Sequence, residues 1–307
     1  MKMSKYILTR LGLFACPAVF ALTLCFLSCA STGTLAQIGA NIGQSTGVIN
    51  ERTADAIIRS GAAIGAAFEE INPEQEYFIG RAVAANILGT YRIQNQPSLA
   101  AYLNRICNAL IINSPRPEIF NGYHVNILDS EEINAFSTPG GHILITRGLI
   151  DCAVSEDTLA AVLAHEIAHI QLQHGLKAIK NSRINNALVV TGTSAAGAAL
   201  DMPELQSIFN ESVNEIITTM MNNGYSQTQE FEADTMAMDL LALAGYEPSS
   251  LLDMLRSLER NQSGQRGGFN RTHPTPAQRI TNAQKTAGSY NIADTRSFRR
   301  TRYEAIF

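Results

Sequence analysis

Residues 158–170 read Thr-Leu-Ala-Ala-Val-Leu-Ala-His-Glu-Ile-Ala-His-Ile, an apolar run with two histidines and a glutamate set into it. The run has no Pro or Gly and is rich in strong helix formers, so it predicts a helix. Leu159, Val162, Leu163, Ile167, Ala168 and Ile170 leave that helix no wide polar face. A buried helix that carries His165, Glu166 and His169 needs a reason, because ionisable groups in a core are costly unless paired or metal-bound. On a helix, His165 and His169 lie four apart on one face. Two imidazoles so placed can bind one Zn²⁺ through ring nitrogens at about 2.0–2.1 Å. Glu166 sits one step round, too far off-axis to ligate easily and well placed to take a proton from a water at the metal. A solvated polar stripe is the bland alternative, and the apolar flanks argue against it.

A catalytic zinc keeps three protein ligands, so one more must come from elsewhere. His174 falls one residue short of the place where a third histidine would extend the motif, and reads as a solvated or second-layer residue. Downstream, Gln229-Glu230-Phe231-Glu232-Ala233-Asp234 opens a helical run that reaches Leu243 and stops at Gly245. Glu230 and Asp234 share a face, which suits a carboxylate ligand with a second carboxylate one turn on to hold the N–H of a ligating His. Glu232 points elsewhere, to solvent. Pro139-Gly140-Gly141 is a turn signal between two β-rich runs. The strand His142-Ile-Leu-Ile-Thr146 is short and β-branched; in a zinc endopeptidase such a strand offers its free edge to an extended substrate, and otherwise it is a plain core hairpin. Pro274 and Pro276 restrict the loop after His273. A lone His before Pro is more often a surface loop residue than a catalytic one.

Six blocks in order resemble one family, the metallopeptidases numbered forty-eight, which include HtpX, BepA and the CAAX prenyl endopeptidases. They are Asn72 to Arg81, Leu99 to Ile106, Asp129 to Gly141 with Ile143 to Leu149, His165 to His169, Glu230 to Asp234, and His273 to Ile280. The likeness runs from about Asn72 to Lys285 and is greatest to the soluble bacterial branch. It implies His165, His169 and Glu230 as zinc ligands, one Zn²⁺ per chain, Glu166 as general base and Asp234 as the carboxylate behind a ligand. It implies further that His273 lies at the active site, that Arg279 lies near the cleft, and that Asn134 lies beside the cleft and helps polarise the scissile carbonyl, with Gly140 and Gly141 also bordering it.

Met1 to Arg10 carries Lys2, Lys5 and Arg10 and no acid, and Leu11 to Leu27 is apolar but broken by Gly12 and Pro17. That is the pattern of a secretory signal, too interrupted for a membrane span. Phe26-Leu27-Ser28-Cys29-Ala30 resembles a bacterial lipobox with Cys29 as the lipid-modified residue, although Phe26 departs from the usual Leu. Cys25 is a weaker alternative, and an ordinary signal peptide is the bland one. The chain has 23 basic and 27 acidic residues. Without the signal 20 basic residues remain, a net charge of −7, which argues against nucleic acid as a partner. Beyond Cys29 only Cys107 and Cys152 remain, so no cysteine cluster competes for a metal.

The organisation expected is a lipoprotein signal over 1–28, a tether with small-residue helices over 29–71, a zinc metallopeptidase domain over 72–287, and a basic tail over 288–307 read as a solvated surface segment. The segment 187–200, at 14 residues, is too short to cross a bilayer and is expected to pack near the active-site helix. The fold class expected is α+β, mainly helical and zincin-like, with an active-site helix and a small β-sheet whose edge strand borders the cleft. The function expected is a zinc endopeptidase, lipid-anchored on the periplasmic side of a bacterial envelope, at the outer membrane. Its substrates by family likeness are unfolded or misassembled envelope proteins. The rival is a chaperone or assembly factor that cleaves rarely or never.

Overall fold

Asn72 caps the helix Pro73–Thr90. Its side chain accepts from Gln75 N at 2.9 Å, and Gln75 Oε1 accepts from Asn72 N at 2.9 Å. This reciprocal cap satisfies two of the otherwise orphaned donors of helix α1, Pro73–Thr90. The computed structural model describes residues 70–180, 205–261, 268–273 and 276–307 apart from 286, 288, 289 and 291, with scattered positions from 37 to 55. The signal, most of the tether and the segment 187–200 therefore lie outside the described residues, as does most of the loop before His273.

The chain divides into two compact units, residues 1–67 with 187–200, and residues 68–186 with 201–307. The second carries α1, α2 (Pro97–Ile111), β1 (His124–Leu128), β2 (Ala135–Thr138), β3 (His142–Thr146), α3 (Arg147–Cys152) and α4 (Glu156–Gln171). After these come α5 (Leu205–Ile217), a π-helical segment (Thr218–Asn223), α6 (Gln227–Leu243), α7 (Ser250–Asn261), α8 (Phe269–Thr272), α9 (Pro276–Ala283) and α10 (Arg296–Glu304). The fold is mainly helical around one three-stranded sheet, as expected.

The sheet has the order β1-β3-β2, with β1 parallel and β2 antiparallel to β3. This corrects the reading of His142–Thr146 as a free edge. β3 is the central strand, paired on both sides, and its main chain has no edge to offer. The edge strand that packs against α4 is β2. The β2–β3 turn needs glycine twice over. Gly140 and Gly141 have φ of +73° and +95°. A Cβ on Gly140 would lie 2.5 Å from the Tyr77 Cα of α1, and one on Gly141 would lie 2.4 Å from the Gly122 carbonyl oxygen.

Alternation along the strands splits the core in two. Val125, Ile127, Ala135, Ile143 and Ile145 face α2, α4, α6 and α7, whereas Leu128, Phe136 and Leu144 face α1, α5 and the π-helical segment. Each large aliphatic buried this way contributes roughly 1.5–3 kcal/mol. Helix α4 runs through the larger core, and every residue in it except Asp157 is buried. Ser155 caps it, accepting from Thr158 N at 3.2 Å while Thr158 Oγ1 accepts from Ser155 N at 3.0 Å.

The basic tail is not simply solvated. Helix α10 docks on the first turn of α4. Arg299 is buried, donates to Asp157 Oδ2 at 2.9 Å, and lies over the Tyr246 ring. Arg302 makes two hydrogen bonds to buried Glu156, which also accepts from Tyr102 at 2.9 Å and Tyr246 at 3.0 Å. Two carboxylates at a helix N-terminus are already favoured by the macrodipole, and the arginines add charge-assisted hydrogen bonds. Cys107 and Cys152 are both free thiols.

Candidate metal centre

The helical period puts His165 and His169 one turn apart, and their Nε2 atoms stand 3.1 Å apart. Helix α6 starts on a cap of the same design, with Ser226 and Gln229 exchanging hydrogen bonds at 3.3 and 3.0 Å. It packs along α4 and brings Glu230 and Asp234 onto the histidines. Glu230 Oε2 is 3.5 Å from His165 Nε2, and Oε1 is 3.5 Å from His169 Nε2. The fourth member arrives from the loop after α8. His273 Nδ1 is 2.9 Å from Glu230 Oε1 and 3.3 Å from His165 Nε2. One ligand atom from each of His165, His169, Glu230 and His273 falls within 4.8 Å of all the others.

The surroundings decide which ring nitrogens are bare. The Glu232 carboxylate can only accept, and it lies 3.2 Å from His174 Nε2, so that nitrogen carries the proton. Burial pulls His174 down to about 4, so it is neutral and its Nδ1 is an acceptor. His169 Nδ1 stands 2.9 Å from it and must therefore be the donor. That leaves the lone pair of His169 Nε2 facing the cluster. His174 is thus the buried second-layer residue that was one of the two expected alternatives. Glu232 is exposed, as expected, and its carboxylate in addition orients His174 and pairs with Lys177 at 3.6 Å.

Asp234 does the same for the other histidine. Its Oδ1 is 3.2 Å from His165 Nδ1, so that nitrogen donates and Nε2 faces inward. Arg279, from α9, grips the same carboxylate through Nε at 2.8 Å and through a short Nη2 contact. Its Nη1 is 3.1 Å from Glu230 Oε2 but off the direction of a hydrogen bond, so both of those atoms remain without one. The expected place of Arg279 near the cleft becomes, in the structure, a fully buried guanidinium that locks two carboxylates. Asn134 is also fully buried. Its Oδ1 accepts from Ala135 N at 2.9 Å and Thr272 Oγ1 at 3.3 Å, and its Nδ2 has no partner.

Charge shows what fits among these groups. Glu166, Glu230 and Asp234 face the single guanidinium of Arg279, and all four are buried. With neutral imidazoles this leaves two negative charges, the complement of one divalent cation. Bare imidazole nitrogens and carboxylate oxygens are the donors such an ion takes. Both Glu166 oxygens and Glu230 Oε2 are buried acceptors without a hydrogen bond, as a cation or its water would require. The demand for positive charge is visible in the pKa shifts. Burial and Arg279 push His165 down, but Asp234 and Glu230 outweigh them and hold it at about 9. Burial pushes Glu230 up, yet His273 and Arg279 outweigh it and keep its carboxyl well below the usual range. His169, by contrast, is driven well below the usual histidine value by burial and by His165. A proton and a metal compete for the same lone pair on His165 Nε2.

Two residues at the cluster were missed in the sequence. Tyr225 stacks on His169, centroids 4.2 Å apart and planes at 20°, and Phe269 stacks on His273 at 4.2 Å and 19°. Tyr225 directly precedes the Ser226 cap of the helix that carries Glu230, which is the one local signal that could have marked it. Together these rings help close the site. His165, Glu166, His169, Glu230 and His273 are each at most 2 % exposed.

Comparison with known proteins agrees with this geometry. The family described as Peptidase family M48 matches residues 97–287. The beta-barrel assembly-enhancing protease of Escherichia coli (strain K12) is 26% identical over 216 residues, 69% of this chain and 44% of that protein. Metalloprotease LoiP of the same strain is 30% identical over 182 residues, 59% of this chain and 67% of the relative. The mitochondrial metalloendopeptidase OMA1 of Schizosaccharomyces pombe is 25% identical over 218 residues, 69% and 61% of the two chains. The match spans less than half the length of the beta-barrel assembly-enhancing proteases.

Proposed function

This chain belongs to peptidase family M48, a metallopeptidase family, and on that premise we propose that it is a zinc-dependent endopeptidase. The observation that carries the reading is the convergence of His165, His169, Glu230 and His273 within 4.8 Å beside Glu166, whose carboxylate has no other hydrogen-bonding task. In this reading His165, His169 and Glu230 hold one zinc. Bound there, the ion would supply Lewis acidity toward a carbonyl and a water. Glu166 accepts a proton from the attacking water and returns it to the leaving amine. Asp234 and His174 hold the tautomers that aim both Nε2 atoms inward. Arg279 fixes Asp234 and Glu230 so that neither carboxylate swings. His273, 3.8 Å from Glu166 Oε1 through Nε2, borders the reacting atoms.

Peptide binding is assigned to the β2 edge, which lies along α4; its four residues are buried in the closed site, so it would pair with an extended main chain, reading few side chains, only once the cover has moved. The turn Gly140–Gly141 ends that edge. Because the site is closed over by Tyr225 and the Phe269–His273 segment, substrate entry requires these to move. The closed site is also the observation that favours the second reading, a holding factor for unfolded envelope proteins that cleaves rarely.

The names of the relatives support the setting. Proteins called beta-barrel assembly-enhancing proteases suggest misassembled outer-membrane proteins as substrates here too. Anchoring through a lipid on Cys29, on the periplasmic side and at the outer membrane, fits the leader pattern, and no helix among the described residues is long and apolar enough to cross a membrane. The test is cleavage of an unfolded substrate by zinc-loaded protein with and without chelator, beside Glu166→Gln. The endopeptidase reading expects chelator to stop cleavage. It expects Glu166→Gln to keep its zinc and lose at least about 10²-fold in rate. Protection of the substrate from aggregation with no cleavage would leave the holding factor instead. Release from membranes on Cys29→Ser tests the anchor.

A further inference from the structure

Tyrosines buried in this protein spend their hydroxyls. Tyr102 and Tyr246 donate to Glu156, and Tyr123 donates to the Arg116 carbonyl at 2.8 Å. Tyr225 does not. It is 5% exposed, and its hydroxyl is buried without a hydrogen-bond partner among the described residues. Leaving a hydroxyl desolvated and unpaired is unfavourable, and phenylalanine would fill the same space without that cost. In the closed site the ring is nonetheless well placed. Its face lies on His169, and its backbone N–H, directly after Gly224, donates to Thr272 O at 3.1 Å. The phenol is within electrostatic reach of Glu166 and Glu230.

Around the inward-facing histidines the cluster therefore presents an unspent donor, Tyr225, and an unspent acceptor pair on Glu166. Hydrolysis of an amide needs that pair of functions, an acceptor for the proton of water and a donor for the carbonyl oxygen as it gains charge. Among the other buried donors, Arg279 Nη1 also lacks a hydrogen bond but is turned to the Glu230 carboxylate, 3.1 Å from Oε2. His273 Nδ1 is engaged with Glu230 Oε1, and the described contacts of Asn134 run to Ala135, Thr146 and Thr272 rather than to the histidines.

We propose that Tyr225 is a catalytic residue whose phenol hydrogen-bonds the oxyanion formed from the scissile carbonyl. This rests on the endopeptidase reading above. As the water oxygen bonds to the carbonyl carbon, its proton passes to Glu166 and the C=O π pair moves onto oxygen, where the Tyr225 O–H holds it. Tyr225 keeps its own proton throughout. When the C=O bond re-forms, the C–N bond breaks, and Glu166 returns the proton to the amine nitrogen. The sum is addition of one water across one peptide bond, with no other reactant.

The experiment compares wild type with Tyr225→Phe in the zinc-loaded full chain. Four readouts are taken: zinc per chain, thermal stability, kcat and KM on an unfolded peptide, and calorimetric affinity for a phosphinic peptide that mimics the tetrahedral oxyanion. The proposal expects zinc, stability and KM to hold, while kcat falls by about 10²–10³-fold, the usual loss of one oxyanion donor. Phosphinic affinity should fall at least tenfold with it. Retained phosphinic affinity with kcat within twofold would overturn the assignment. Loss of zinc or of stability would also overturn it, making the ring a packing partner of His169. If wild type itself fails to cleave, the endopeptidase reading fails separately, and the phosphinic comparison still decides the tyrosine.

Discussion

Asp234 stands between His165 and Arg279, with Oδ1 3.2 Å from His165 Nδ1 and Oδ2 accepting from Arg279 Nε at 2.8 Å. The carboxylate thereby sets the tautomer of one candidate ligand while its own position is set by a buried guanidinium. Asp234→Asn should lower zinc affinity by about 10–100-fold without unfolding the protein, as partners behind a metal ligand usually do. Arg279→Met should cost far more stability, on the order of 3–5 kcal/mol, because it strands Asp234 and Glu230 as buried charges. Chelator competition and denaturant melts distinguish the two. If the mutants are equally stable, the guanidinium does not hold the carboxylates.

His174 is the corresponding support for His169, Nδ1 to Nδ1 at 2.9 Å. His174→Ala should weaken zinc binding by roughly 10-fold or more yet leave the site able to fill at high zinc, whereas His169→Ala should empty it. Metal analysis across a zinc titration checks this. Identical titrations for His174→Ala and wild type would mean that the His169 tautomer is set some other way.

Alkaline pH should loosen the junction between α10 and α4. Burial first, and then Glu156, pushes the Tyr102 and Tyr246 phenols far above their ordinary values, and burial pushes Tyr123 up to about 12. A group whose folded pKa is raised stabilises fully below its unfolded pKa, here about 10, and loses that contribution as pH rises further. The urea midpoint should therefore be flat from pH 8 to about 9.5 and fall above 10. Tyr102→Phe should shrink the fall. An unchanged slope in that mutant would refute the assignment.

Cys107 offers a simple check on the core. Burial pushes its thiol up to about 12, so at pH 8 only about one molecule in 10⁴ carries the thiolate. Iodoacetamide should leave Cys107 unmodified in the native protein and alkylate it fully in urea, as peptide mass mapping would show. Native labelling of Cys107 would mean that the α2 side of the core opens readily.

What the sequence determined by itself was local. The apolar run around His165 and His169 could only be a buried helix, and the period of that helix put both imidazoles on one face with Glu166 beside them. The spacing of Glu230 and Asp234 and the Gly140–Gly141 turn are legible for the same reason, because bond geometry ties residues a few positions apart. Tertiary structure decided everything that depends on which surfaces meet. It placed β3 between β1 and β2 and so moved the free edge to β2, since strand order follows from packing both faces of the sheet and not from any one strand's composition. It buried Arg279 against Asp234, turned the tail arginines Arg299 and Arg302 onto the start of α4, and laid Tyr225 on His169. A lone tyrosine or arginine carries no periodic signal, and only the charge or cavity it meets across the fold gives it a role.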